Sequence, residues 1–78
     1  MAVGFLLVTT EPGREEEVRA RISELPACKG TWICFGEFDL FVKLEAEEES
    51  ELTRCIVQDI RQQMDGIRDT TTMIGAEI

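Results

Sequence analysis

From Ala2 to Thr9 the chain reads AVGFLLVT, a short run, in part β-branched and aromatic, that stops at Glu11-Pro12-Gly13. A run of this kind bounded by a turn cluster predicts a buried strand. Alternation puts Val3, Phe5 and Leu7 on one side and Leu6 and Val8 on the other, so both faces are apolar and both need cover. After Gly13 the segment REEEVRARISEL carries Val18, Ile22 and Leu25 at i, i+4 and i+7 among charged positions, which is the pattern of an amphipathic helix. Glu15, Glu16 and Glu17 suit its first turn, where the macrodipole favours anions, and Pro26 stops it.

The next two segments, Cys28 to Phe35 and Phe38 to Ala46, read as strands joined at Gly36-Glu37, a turn whose glycine takes positive φ without steric cost. Leu40, Val42 and Leu44 alternate with Phe41, Lys43 and Glu45, so one face is core and the other begins apolar and ends wet. Glu47 to Met64 places Leu52, Cys55, Ile56 and Ile60 at helical spacing, with Ser50 as a candidate cap and Asp65-Gly66 as a helix stop. Residues 67 to 78 alternate Thr70, Thr72, Ile74 and Ala76 against Asp69, Thr71, Met73 and Glu77, as a last strand does. The order is β-α-β-β-α-β. With right-handed crossovers this predicts an α+β, ferredoxin-like sandwich: a four-stranded antiparallel sheet with both helices on one face. The opposite face is left bare, and a second copy packing against it would cover it symmetrically.

Seventy-eight residues, 44% of them hydrophobic, make one domain over 1–78, because half that length rarely sustains a core. Eight basic against sixteen acidic residues leave a net charge of −8, which opposes phosphate neutralisation, so direct binding to nucleic acid is not expected. The chain has no histidine, and with it go the commonest general base and metal ligand. Cys28, Cys34 and Cys55 are odd in number and in no metal-binding spacing; they read as small hydrophobes in a reducing cytoplasm. No basic leader precedes Val3, and no apolar run approaches the ~20 residues that span a bilayer. The glutamates at 45, 47, 48, 49 and 51 lack the glycine and spaced Asp/Asn of a calcium loop and read as a solvated helix start.

Phe35-Gly36-Glu37-Phe38-Asp39-Leu40 at the hairpin, Ile67-Arg68-Asp69-Thr70-Thr71-Thr72 in the last strand, and Glu11-Pro12-Gly13 before the first helix resemble the effector-binding domain of the Lrp/AsnC family of feast/famine regulators. The resemblance covers essentially the whole chain. Members with a DNA-reading domain carry it ahead of this one, and here the first strand begins at residue 2, so the likeness is to stand-alone versions. It implies a homodimer assembling into a larger ring, an octamer of four dimers, that binds an amino acid or related metabolite between dimers and co-assembles with full-length regulators. It implies no cofactor, no metal and no catalytic role.

The same resemblance makes Gly36, Glu37, Phe38 and Asp39, with Thr70 and Thr72, the candidate effector site. A zwitterion needs an anion near its ammonium, donors near its carboxylate and an apolar wall. Asp39 suits the first; threonine hydroxyls and backbone N–H groups near Gly36 suit the second. Phe38 stands where tyrosine is common and removes one hydroxyl. Other readings of these residues stay open: Asp39 also suits a brace of the turn, and the threonines suit a half-exposed strand by β-propensity. Trp32 reads as a packing or interface anchor. Two other functions share the element order: an ACT-type regulatory domain, with its ligand near the loop after the first strand, and a dimeric α+β barrel enzyme of the monooxygenase or decarboxylase kind.

Overall fold

A computed structural model of the chain describes residues 1–62 and 64–75. Strand β1 (Ala2–Thr10) is central, flanked by β3 (Leu40–Ala46) and β4 (Ile67–Gly75), with β2 (Cys28–Ile33) outside β3. Every neighbouring pair is antiparallel. Helix α1 (Glu15–Ser23) and helix α2 (Glu49–Arg54, continued by a π-helical segment Cys55–Arg61) cover one face of the sheet, which is the predicted ferredoxin-like arrangement. Among the described residues no helix is long and apolar enough to cross a membrane.

Register determines which side chains meet the helices, because residues directly opposite one another in a ladder share a face. Leu6 faces Val42, and Val8 faces Leu40. These four, with Leu44, Val18, Ile22, Leu52, Cys55, Ile56 and Ile60, form the core. Burying each large aliphatic side chain contributes about 1.5–3 kcal/mol. Gly4, opposite Leu44, lies on this face, where a Cβ would come within 3.1 Å of the Leu52 side chain.

Four expectations from the sequence need correction. The connection between β2 and β3 is not a two-residue turn at Gly36-Glu37. Its strands end at Ile33 and begin at Leu40, and a bond from the Cys34 amide to the Asp39 carbonyl at 2.8 Å encloses residues 35–38. The cause is long-range: the Asp39 amide donates to the Val8 carbonyl at 2.9 Å, so Asp39 is drawn toward β1 and out of a tight turn. Ser50 does not cap α2, whose N-cap is Glu48 with no side-chain bond. The second half of that helix is π-helical, with the Gln62 amide donating to the Val57 carbonyl at 3.1 Å. Finally, α1 ends at Ser23, and Glu24 and Leu25 continue it only as a tighter turn through bonds to the carbonyls of Arg21 and Ile22. Ala76 and Glu77, expected in the last strand, lie outside the described residues.

Candidate functional site

The expected site residues fall on two sides of β1, residues 36–39 leading into β3 and Thr70 and Thr72 on β4. Asp39 accepts two bonds through the same carboxylate oxygen, Oδ2: from the Thr10 amide at 2.8 Å and from the Thr10 hydroxyl at 3.3 Å. Thr10 is only 3% exposed, so its amide needs this acceptor. Oδ1 has no hydrogen bond among the described residues. Asp39 therefore ties β3 to β1, a longer-range brace than the hairpin turn foreseen for it. Gly36 has φ +136°, and nothing lies within 4 Å of where its Cβ would stand. The loop needs glycine there for its backbone, not for space. Glu37 is exposed, Phe38 half-buried, and Phe35 is 97% exposed at the loop tip.

Thr70 pairs with Val8, whose other neighbour is Leu40, so Thr70 and the Asp39 end of β3 flank the same stretch of β1. Two strand spacings separate them by about 10 Å. Thr70 is half-buried; Thr72, paired with Leu6, is one pleat further from the sheet end and exposed. Within one chain Asp39 thus meets Thr10, and the two threonines of β4 stand across β1 from it.

Two features at this end were not foreseen. One is Thr10, whose role depends on a residue 29 positions away and leaves no local signal. The other is a shallow pocket of about 170 Å³ lined by Arg61, Ile67, Arg68, Asp69 and Thr70. A β-bulge accompanies it: Thr9 pairs with Asp69 and Thr10 with Ile67, which leaves Arg68 unpaired on β1. Asp69 accepts a bond from the Thr70 amide at 2.9 Å.

The sheet face away from the helices is apolar around Phe5, Leu7, Phe41 and Trp32 and carries Lys43 opposite Phe5 and Glu45 opposite Val3. Val3, Phe5 and Leu7 are half-buried there; Phe5 stacks on Phe41 with centroids 5.7 Å apart, and Trp32 leans on Phe41 at 5.5 Å. Trp32 is 51% and Met73 47% exposed on this face. None of the three cysteines is bonded to another. Burial, first, and then the Asp59 carboxylate and Cys28 push the Cys55 thiol above its ordinary value, which keeps it protonated and poorly nucleophilic at neutral pH. Among the described residues no group of three or more Cys, Asp or Glu side chains is arranged to hold a metal ion.

A bare apolar sheet backed by two helices, with polar side chains gathered at one end, defines a small ferredoxin-like α+β domain. Residues 3–77 match the model of the Lrp/AsnC ligand binding domain, and the chain belongs to that family. An uncharacterized HTH-type transcriptional regulator of Pyrococcus abyssi is 31% identical over 72 residues, covering 92% of this chain and 45% of the regulator. The chain spans about half the length of the curated relatives it matches. Among solved structures, a hypothetical protein of Pyrococcus horikoshii superposes with a TM-score of 0.93 at 35% identity, covering 100% of this chain and 93% of that one. A transcriptional regulator of Neisseria meningitidis, solved as its L-Met complex, shares the fold with a TM-score of 0.78 at 14% identity, over 97% of this chain and 50% of that one.

Proposed function

We propose that the chain is a ligand-sensing and oligomerisation module of Lrp/AsnC-type transcription regulation, without catalytic activity, that binds an amino acid or related small metabolite where dimers meet. The observation that carries this reading is the pair of polar groups flanking the end of β1. Asp39 keeps one carboxylate oxygen unpartnered among the described residues, and Thr70 is half-buried across the strand. The strands that carry them lie on either side of β1, and a second copy would complete a site between them. The L-Met held by the Neisseria regulator supports the ligand class. The module acts in the cytoplasm through full-length regulators as partners, because a charge of −8 disfavours its own contact with DNA.

The ACT-type alternative would use the loop after β1. That loop is occupied by Arg14, which pairs with Glu17 at 2.5 Å, Asp65 at 3.3 Å and Glu11 at 3.7 Å. The amino-acid reading is tested by thermal shift against the twenty amino acids. A ligand at 100 times its Kd stabilises by about 2.7 kcal/mol. For a domain this small, about 4–8 °C per kcal/mol makes that a shift of roughly 10 °C or more. No shift with any of the twenty would reject amino acids as the ligand class.

A further inference from the structure

The pocket between the end of α2 and the start of β4 has a chemistry the Asp39 reading does not use. Two arginines line it in a chain where acids outnumber bases two to one. Arg14 and Arg19 are held by carboxylates, whereas the side chains of Arg61 and Arg68, like those of Arg21 and Arg54, make no ion pair or hydrogen bond among the described residues. Arg61 and Arg68 are both exposed, so an anion entering from solvent can meet either guanidinium.

Both arginines sit at backbone irregularities. Arg61 is the last residue of the π-helical segment, and Arg68 is the residue the β4 bulge leaves unpaired. A π-turn and a bulge each shift the side chains around them relative to a regular helix or strand, and both are enriched at functional sites. Here two such departures, on consecutive elements, border the same pocket. Asp69 supplies one carboxylate against two guanidiniums, so the lining is net +1.

We infer that this pocket receives the carboxylate of the small-molecule effector, with Arg61 and Arg68 as its cationic wall and the Thr70 hydroxyl as a further donor. Guanidinium forks match carboxylates in two-point contacts. A volume of about 170 Å³ equals five or six waters at ~30 Å³ each, which fits a carboxylate and the carbon bearing it. The inference rests on the amino-acid reading for the identity of the effector, and assigns its carboxylate to arginines instead of to the backbone near Gly36.

The test uses ¹⁵N-labelled full chain titrated at low ionic strength with acetate and, separately, with inorganic phosphate. Acetate should shift the Asp69 and Thr70 amides saturably, and Arg61→Gln/Arg68→Gln should weaken this at least tenfold. Arg61→Lys/Arg68→Lys should keep it within a few-fold, and Arg21→Gln, on the exposed side of α1 and outside the pocket, should leave it unchanged. An unaltered acetate response in the Gln double variant, or no saturable response, overturns the inference even if an amino acid still stabilises the protein. Phosphate binding at least tenfold more tightly than acetate overturns the carboxylate assignment. An arginine-dependent acetate response alongside a negative amino-acid screen rejects the amino-acid reading and keeps the pocket as a carboxylate site. Dispersed amide spectra of each variant verify its fold.

Discussion

At Asp39 one carboxylate oxygen is committed to Thr10 and the other is not, so a single side chain joins fold to candidate site. The two contributions separate by substitution. Asp39→Asn keeps an acceptor for the Thr10 amide but removes the charge, and a charge-assisted bond exceeds a neutral one by roughly 1 kcal/mol. Stability in urea should fall by about 1 kcal/mol. Asp39→Ala leaves the buried Thr10 amide unsatisfied and should cost more, about 1–3 kcal/mol. If Oδ1 meets a ligand ammonium, Asp39→Asn should also weaken effector binding by about 1.5–3 kcal/mol, measured by calorimetry. Equal affinities of the two proteins would reduce Asp39 to a brace.

At the scale of elements, the sequence carried what is periodic and missed what is long-range. Val18 and Ile22 four apart, and Leu40, Val42 and Leu44 two apart, face the core as their spacing requires. The π-helical segment could not be read in the same way: Ile56 and Ile60, four apart, share a face in an α-helix already, so the apolar pattern is silent about the wider turn. The length of the β2–β3 connection depends on the Asp39 amide reaching Val8, and the bulge at Arg68 on pairing with β1; neither leaves a local signature. In the candidate site, glycine and aspartate were legible as turn residues, whereas Thr10 and the two arginines were not. The π-helical segment also holds Cys55, 8% exposed, while Cys34 is half-buried at the loop. Iodoacetamide at pH 8 should therefore modify Cys34 first, and Cys55 only as the segment opens, with a rate that rises in urea. Mass spectrometry of timed samples measures both. The raised Cys55 value has a sign for stability as well. Above about pH 8.5 the unfolded thiol ionises while the folded one stays protonated, so the unfolded state binds fewer protons and stability falls as pH rises through this window.

The whole molecule presents an apolar sheet face that a chain of 78 residues leaves open to water. Val3, Phe5, Leu7, Trp32, Phe41 and Met73 share this face by register, with Phe41 packed between Phe5 and Trp32. Aromatic side chains each bury about 150–250 Å², so three of them and their neighbours supply much of the ~800 Å² per partner of a standard interface. Packing of two such faces should give a homodimer. Phe41→Asp sets a carboxylate in the centre of that contact and should raise the dimer dissociation constant at least a hundredfold, the measure of a ~2.7 kcal/mol loss. Phe41 also packs within its own sheet, so Met73→Asp provides the control: Met73 is 47% exposed on the edge strand and contributes less to the monomer. Sedimentation equilibrium at micromolar concentration should find the unaltered chain dimeric or larger and both variants shifted toward folded monomer. A monomeric unaltered chain, or a Met73→Asp variant that associates as tightly as the parent, would move the dimer contact away from this face.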